Sequence, residues 1–468
     1  MAGGINFSGL ASGIDTAALI QASSDATRAA RVTPSQKRVT ELEETNAAAD
    51  ELSNKLDLLK ASLKGFTTLN GGGVSKTATS SKESVLSASV ANNATNGAYT
   101  VTVNSLAKNH TYSFDQTFAA STTPIDNTLT GGEPAGDRTV TFTVGAGAEQ
   151  ETVSVEVKNG TFSASDFVTA FNNASTKAEA SLVNTGTAAS PAYKIVISSN
   201  YEGTQKGSIS RTALGASLAG LSGFSEDAAS DASVTVTGIG TVTRSTNTIA
   251  DIVPGVTFSL SSTGSSTVRI AEDVDTTVSK VQSFIDAYND VVKFVNENNT
   301  ITRDETTKEV TNTFAPLASS RVDDNALAAL RSALSASTAS GGSAVRIFAD
   351  LGITTQRDGS LLFDSSKLKT VIASEPTSVS NVLSSFADKA ATTGGTIDQY
   401  TRYNGLLDLS INSNKAEIAD LNDRIQEAER QIARQEESMK ARYARLESLM
   451  SKLQQQQSSL TSALSGLK

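Results

Sequence analysis

Residues 411–467 read INSNKAEIADLNDRIQEAERQIARQEESMKARYARLESLMSKLQQQQSSLTSALSGL, and Ile411, Ile418, Ile425, Ile432, Met439, Leu446, Leu453, Leu460 and Leu467 stand seven apart without a break. An unbroken seven-residue apolar repeat marks a helix that winds against other helices. Of the 33 residues from 415 to 447, 15 are charged, which leaves only a narrow dry stripe. The second core position of each heptad is weaker, running Asn414, Leu421, Ala428, Gln435, Arg442, Leu449, Gln456, Ala463. So thin a seam suits one member of a larger helical assembly better than an autonomous two-stranded zipper. Residues 411–428 are expected to pack within the chain. The row Ile432, Met439, Leu446, Leu449, Leu453, Leu460 and Leu467 is expected to be a seam between subunits.

The same period appears elsewhere. Following Pro34, a favourable opening for a helix, Leu42, Ala49, Leu52, Leu56, Leu59, Leu63 and Phe66 share one stripe, predicting a helix over about 35–68. It stops at Asn70 and the run Gly71, Gly72, Gly73, expected to be a hinge. Helical spacing returns at Val274, Val278, Val281, Ile285, Tyr288, Val292 and Val295, and again at Leu327, Leu330 and Leu334 behind Asp323 and Asp324. Asp358-Gly359 between Ile353-Thr354-Thr355 and Leu361-Leu362-Phe363 reads as a two-residue hairpin.

From about 77 to 270 the period is two instead: Tyr99-Val101-Val103, Val140-Phe142-Val144, Val153-Val155-Val157, Val234-Val236, Val256-Phe258-Leu260. These are half-buried strands. Phe167, Ala170, Phe171 and Ala174 predict one short helix among them, capped by Ser165. Aromatic residues are 5% of the chain, implying cores of small residues. The expected fold is therefore α+β and multidomain, a helical coiled-coil stalk and leg formed by both chain ends, carrying inserted β-rich heads. The divisions expected are 1–41 with 431–468 for a terminal stalk and 42–76 with 272–430 for a helical leg. An inner head would combine 77–114 with 236–271, and an outer head would be 115–235.

Composition excludes much chemistry. The 468-residue chain has a net charge of −10, which disfavours a general nucleic-acid binder. It has no cysteine and a single histidine, His110, so thiolate metal sites, disulfides and multi-histidine sites are excluded. No apolar run is long enough to span a bilayer, and no secretory leader precedes Arg28, the first basic residue. His110 is expected at the surface, Asp323-Asp324 at a helix N-terminus, and the glycine runs lack the context of a phosphate loop. No catalytic, metal or cofactor site is expected. Residues 115–272 hold 8 basic and 15 acidic side chains, placing most of the negative charge in the middle. A surface adhesin acting through this acidic head is one reading.

Several short motifs fall in one order along the chain. The opening Phe7-Ser8-Gly9-Leu10-Ala11-Ser12-Gly13-Ile14-Asp15-Thr16, then Gly97 through Ala107, then Ile252–Leu260, then Phe284-Ile285-Asp286-Ala287-Tyr288-Asn289, then Leu351-Gly352-Ile353 with Asp358–Leu361, resemble the signatures of the flagellar hook-associated protein 2 family, the filament caps. Residues 115–235 carry no such motif. The resemblance implies a structural role in the bacterial flagellum, with Gly9, Leu10, Ala11, Ser12, Gly13 and Asp15 as its N-terminal motif. It further implies export through the flagellum's own channel, with the export machinery and a chaperone as partners. Assembly at the distal tip as a ring of about five copies, which retains flagellin until it polymerises, also follows from it. Another axial component, such as a hook–filament junction protein, is the structural alternative. A host surface or mucus ligand would belong to the adhesin reading.

Overall fold

The computed structural model describes residues 15–304, 311–318, 320–339 and 344–465. Gly9, Leu10, Ala11, Ser12, Gly13 and Leu467 lie outside them. Contacts divide the chain into a helical unit drawn from both chain ends, up to Gly73 and from Val278, and a β-rich unit over Val74–Thr277. This is the α+β, multidomain arrangement that the change of period implies.

The chain opens with α1 (Thr16–Arg31), whose N-cap Asp15 accepts a hydrogen bond from the Ala18 N–H at 2.9 Å. Then comes α2 (Thr33–Leu63), with Pro34 in its first turn. Leu42, Ala49, Leu52, Leu56, Leu59 and Leu63 are all buried, as their spacing requires. Each such leucine contributes about 1.5–3 kcal/mol. The helix ends earlier than expected, because the chain tightens into 3-10 turns at Lys64–Phe66 and Thr68–Asn70.

The β-rich unit follows, with β1 (Lys76–Ser80), β2 (Leu86–Val90), β3 (Gly97–Ser105), β4 (Asn109–Phe114), β5 (Thr139–Val144) and β6 (Glu151–Glu156). After α3 (Ala164–Ala174) come β7 (Ala178–Asn184), β8 (Tyr193–Glu202), β9 (Ile209–Leu214) and β10 (Phe224–Asp227). The last strands are β11 (Ala232–Val236), β12 (Gly240–Arg244), β13 (Thr248–Val253), β14 (Val256–Leu260) and β15 (Gly264–Glu272). The sheets β1-β15-β3-β11-β12 and β13-β14-β2 feed one core, including Val101, Val103, Val234, Phe258 and Val268. The sheets β10-β4-β8-β7 and β6-β5-β9, with α3, feed a second core that runs only from Tyr112 to Leu221. The second core is nested within the first. Lys108 and Ser230, where the chain crosses between them, exchange backbone hydrogen bonds of 2.8 and 3.3 Å.

Two expectations need correction here. The second core is not built of small residues: Tyr112 and Phe142 meet edge-to-face at 5.3 Å, Phe142 and Phe171 at 5.7 Å, and Phe114 and Phe167 at 5.8 Å. The chain's few rings are concentrated rather than spread. The cap of α3 is Ser163, not Ser165. Its Oγ accepts from the Asp166 N–H at 3.2 Å while its own N–H donates to Asp166 Oδ2 at 2.9 Å, a capping box that holds the Asp166 carboxyl below its ordinary range.

The helical unit resumes along α4 (Val274–Asn298) and adds β16 (Ile301–Asp304), β17 (Thr311–Phe314), α5 (Val322–Ser335), β18 (Ile353–Thr355) and β19 (Leu361–Phe363). It closes with α6 (Ser365–Ser374), α7 (Pro376–Ala391), α8 (Thr396–Thr401) and the 60-residue α9 (Leu406–Ser465). Val281, Ile285, Tyr288, Val292 and Val295 are buried, and Phe284 packs on Phe386 at 5.5 Å and Phe348 at 6.2 Å. Tertiary burial thus overrides the poor helix propensity of β-branched residues. The β18–β19 turn is longer than two residues. Thr355 and Leu361 are the last pair, and the Gln356 N–H donates to Ser360 O beyond them, so Asp358-Gly359 falls within a wider loop in which Gly359 takes φ 90°.

Candidate assembly surface

The two ends of the chain meet along α9. Asn414 donates through Nδ2 to Asn46 Oδ1 at 2.9 Å, Arg38 Nε to Glu417 Oε1 at 3.0 Å, and Arg28 Nε and Nη2 to the two oxygens of Glu429 at 2.9 and 3.0 Å. One number falls as the other rises, so α1 and α2 run antiparallel to α9. The Arg28 guanidinium holds the Glu429 carboxyl below its usual range. Exposed pairs of this kind stabilise little; the bidentate Arg28–Glu429 geometry and the Asn46–Asn414 bond instead select one register among the slips a thin seam would allow. These polar partners were not singled out from sequence. Asn46, set within the Leu42–Ala49 stripe, and Asn414, at a second-core heptad position, were the available signals.

The heptad row is covered as far as Met439 and open beyond it. Ile411 and Ile432 are buried, Ile418, Leu421, Ile425 and Met439 are half-buried, and Leu446, Leu449, Leu453 and Leu460 are exposed by 48%, 61%, 58% and 65%. The register explains the change. Thr16, where α1 begins, comes only three helical turns before Arg28, so α1 accompanies α9 to about residue 441. Past that point the leucine row has no apolar cover among the described residues. Of the expected seam, Ile432 is therefore covered within the chain, and Leu446, Leu449, Leu453 and Leu460 form a continuous open stripe.

The glycine run is seated on α7. Gly71 and Gly72 take φ 90° and 85°, and the Gly73 N–H donates to Ser380 Oγ at 2.9 Å. A Cβ on Gly73 would lie 2.8 Å from Leu383 Cβ and 2.9 Å from Ser380 O. Gly73→Ala is expected to lower stability by about 1–3 kcal/mol through overpacking, read as a fall in urea midpoint; an unchanged midpoint would mean that α7 yields without cost.

The polar residues that the sequence singles out lie apart on separate elements. His110 is buried rather than at the surface. Its Nδ1 accepts from the Ile209 N–H at 3.1 Å, and its Nε2 lies 3.3 Å from Glu226 Oε2. It stands in phase with Tyr112 and Phe114 on β4, so strand alternation carries it inward. Asp323 and Asp324 do open α5, as expected. Asp323 is nevertheless wholly buried with neither oxygen hydrogen-bonded, and burial pushes its carboxyl up to about 6. Among the described residues no three acidic or histidine side chains gather as a metal site, and no helix is long and apolar enough to cross a membrane.

Comparison with known proteins fits this arrangement of ends and insertion. The family model described as flagellar hook-associated protein 2 N-terminus matches residues 12–110, and the one described as its C-terminus matches residues 229–455. The chain belongs to the flagellar hook-associated protein 2 family. Between the two matches lies the stretch that holds the second core. Within hook-associated protein 2 relatives, the B-type protein of Pseudomonas aeruginosa is 26% identical over 427 residues, covering 86% of each chain. The A-type protein of Pseudomonas aeruginosa is 24% identical over 233 residues, 48% of each. In fold, the chain is similar to the crystal structure of the D1-D2-D3 domains of the flagellar cap protein FliD from Escherichia coli, with a TM-score of 0.60 at 21% identity, over 78% of this chain and 99% of that one.

Proposed function

We propose that this chain is a non-enzymatic capping subunit at the distal tip of the bacterial flagellar filament, outside the cell. It assembles as a ring, of about five copies, that retains exported flagellin and promotes its polymerisation. The observation that carries this reading is the open leucine stripe Leu446–Leu460, on a chain whose two ends match the N- and C-terminal models of one cap family. Among the described residues of a lone subunit no apolar side chain covers that row; an assembled cap has neighbouring subunits and a filament end to cover it. Export through the flagellar channel, aided by the export machinery and a chaperone, suits a chain without cysteine, since no crosslink can form before passage. Gly71, Gly72 and Gly73, at the edge of the helical unit, serve as the hinge. The comparisons do not favour the adhesin alternative.

The domain division proposed is a terminal stalk (1–41 with 431–468), a leg (42–76 with 272–430), an inner head (77–108 with 230–271) and an outer head (109–229); the head boundaries move from the 114 and 235 expected from sequence because β4, with Tyr112 and Phe114, feeds the second core and β11 feeds the first. Two separate cores support the division of the heads, and the Lys108–Ser230 bridge gives the place to cut. Removing 109–229 and joining Lys108 to Ser230 through a short Gly/Ser linker is expected to leave the inner core folded. Circular dichroism and urea unfolding check it; collapse of the remaining sheets would make the two heads one folding unit. The functional test is electron microscopy of the purified full chain. Closed rings are expected, and a strictly monomeric chain at all concentrations would overturn the reading.

A further inference from the structure

The chain's single histidine stands where two sheets meet. His110 is on β4, in the sheet β10-β4-β8-β7, and is 5% exposed. Its Nδ1 accepts the N–H of Ile209, the first residue of β9, in the sheet β6-β5-β9. Both sheets feed the second core, and this bond ties one to the other.

The bond fixes the place of the ring's proton. A neutral imidazole has one donor and one acceptor nitrogen, so an accepting Nδ1 leaves the proton on Nε2. Nε2 lies 3.3 Å from Glu226 Oε2 on β10, without the alignment of a hydrogen bond. Glu226 is the only carboxylate within 4 Å of the ring among the described residues. Other charged groups on the elements around β4 are engaged elsewhere. Arg211 of β9 donates to Leu221 O and Ser222 O, with its guanidinium 4.8 Å from the centre of the Phe224 ring. On β8, Glu202 accepts from the Asn247 N–H and Lys194 lies 3.9 Å from Asp115. Lys206, in the short helix Gly203–Gly207, lies 6.0 Å from the Tyr201 ring. Asp227 of β10 pairs with Thr111, out of phase with His110, and Lys108 ahead of β4 is exposed.

A second proton can enter the ring only at Nδ1. Two donors, Nδ1–H and the Ile209 N–H, would then face each other across 3.1 Å. A buried donor left without an acceptor is costly, so the bond opens and the ring or the start of β9 moves. Glu226 supplies the counter-charge that lets a buried imidazole become charged at all. We propose that His110 is a proton-operated latch between the two sheets of the second core: with one ring proton it holds β9 to β4, and a second proton, balanced by Glu226, releases the Ile209 N–H.

A single histidine makes the test selective. The full chain labelled with nitrogen-15 in histidine alone gives one pair of ring signals, expected at neutral pH to place the proton on Nε2. A proton on Nδ1 would overturn the proposal. On acidification, protection of the Ile209 amide from hydrogen exchange, corrected for the intrinsic effect of pH, is expected to fall roughly tenfold or more as the ring takes up its proton. The strands of the first core should keep theirs. An Ile209 amide still protected beside a charged ring would overturn the proposal, as would unfolding of the second core before the ring is charged. His110→Asn keeps an acceptor oxygen near the place of Nδ1 and cannot take up the proton, so Ile209 should stay protected in acid; release in that variant would also overturn the latch. Should the asparagine variant not fold, Glu226→Gln decides, since its side chain is 45% exposed and its loss removes only the counter-charge. Release is then expected at lower pH than in the parent, and release at the same pH would count against the latch.

Discussion

Replacing Leu446 and Leu453 with Asp leaves a folded monomer that does not assemble. Both leucines are about half exposed in the isolated chain, so the substitutions remove little intramolecular burial and are expected to shift monomer stability by about 0.5 kcal/mol or less. Covered by a partner, each leucine would contribute up to about 1.5–3 kcal/mol. An aspartate in the same dry position would have to be desolvated without a counter-ion, at a further cost of several kcal/mol. Two such sites amount to more than a hundredfold in association. Sedimentation or light scattering, with helix content monitored alongside, checks it. Assembly at unchanged concentration would show that the distal heptads are not an interface. Loss of helix content in the monomer would show instead that the stripe is already packed within the chain.

Asp323→Asn changes how stability depends on pH. The carboxyl lies at the N-terminal end of α5, where the helix dipole ordinarily favours a negative charge. Complete burial without a hydrogen-bonded partner outweighs the dipole, and nearby Asp324 adds repulsion, so the carboxyl is pushed up to about 6. The sign follows from linkage. A folded-state pKa above the unfolded one means that the native state binds more protons between the two. The contribution is thus full below about pH 4 and is lost as pH rises through about 6. A shift of about two units corresponds to roughly 3 kcal/mol. Asparagine makes the same demand for partners as the neutral acid but cannot ionise. The variant should match the parent near pH 4 and exceed it by up to about 3 kcal/mol at pH 8. Urea unfolding at several pH values measures this, and a difference that does not change with pH would place a counter-charge or a donor at Asp323.

The helices were legible because their information is local. Leu42 through Leu63 and the heptads from Ile411 declare a face within a few turns, and the structure buries those faces as far as a partner helix extends. Strand existence was legible in the same way from alternation. Strand pairing was not: β3 lies between β15 and β11, with Val101 opposite both Ser266 and Val236, partners more than 130 residues away. No periodicity encodes a pairing at that separation. The cap of α3 was missed by two residues because two serines flank the start, and only the reciprocal bond of Asp166 chooses Ser163. His110 could have been placed inside from its phase with Tyr112 and Phe114. The open stripe on α9 was readable as a stripe. Where it opens depends on the Arg28–Glu429 register, a fact of packing rather than of period.

The most direct test of the central claim is filament growth in cells that lack this chain. A deletion strain is expected to keep its hooks, to shed flagellin unpolymerised into the medium, and to regain filaments when the intact chain is restored but not when Leu446 and Leu453 are both Asp. Filaments of normal number and length in the deletion strain would contradict the account.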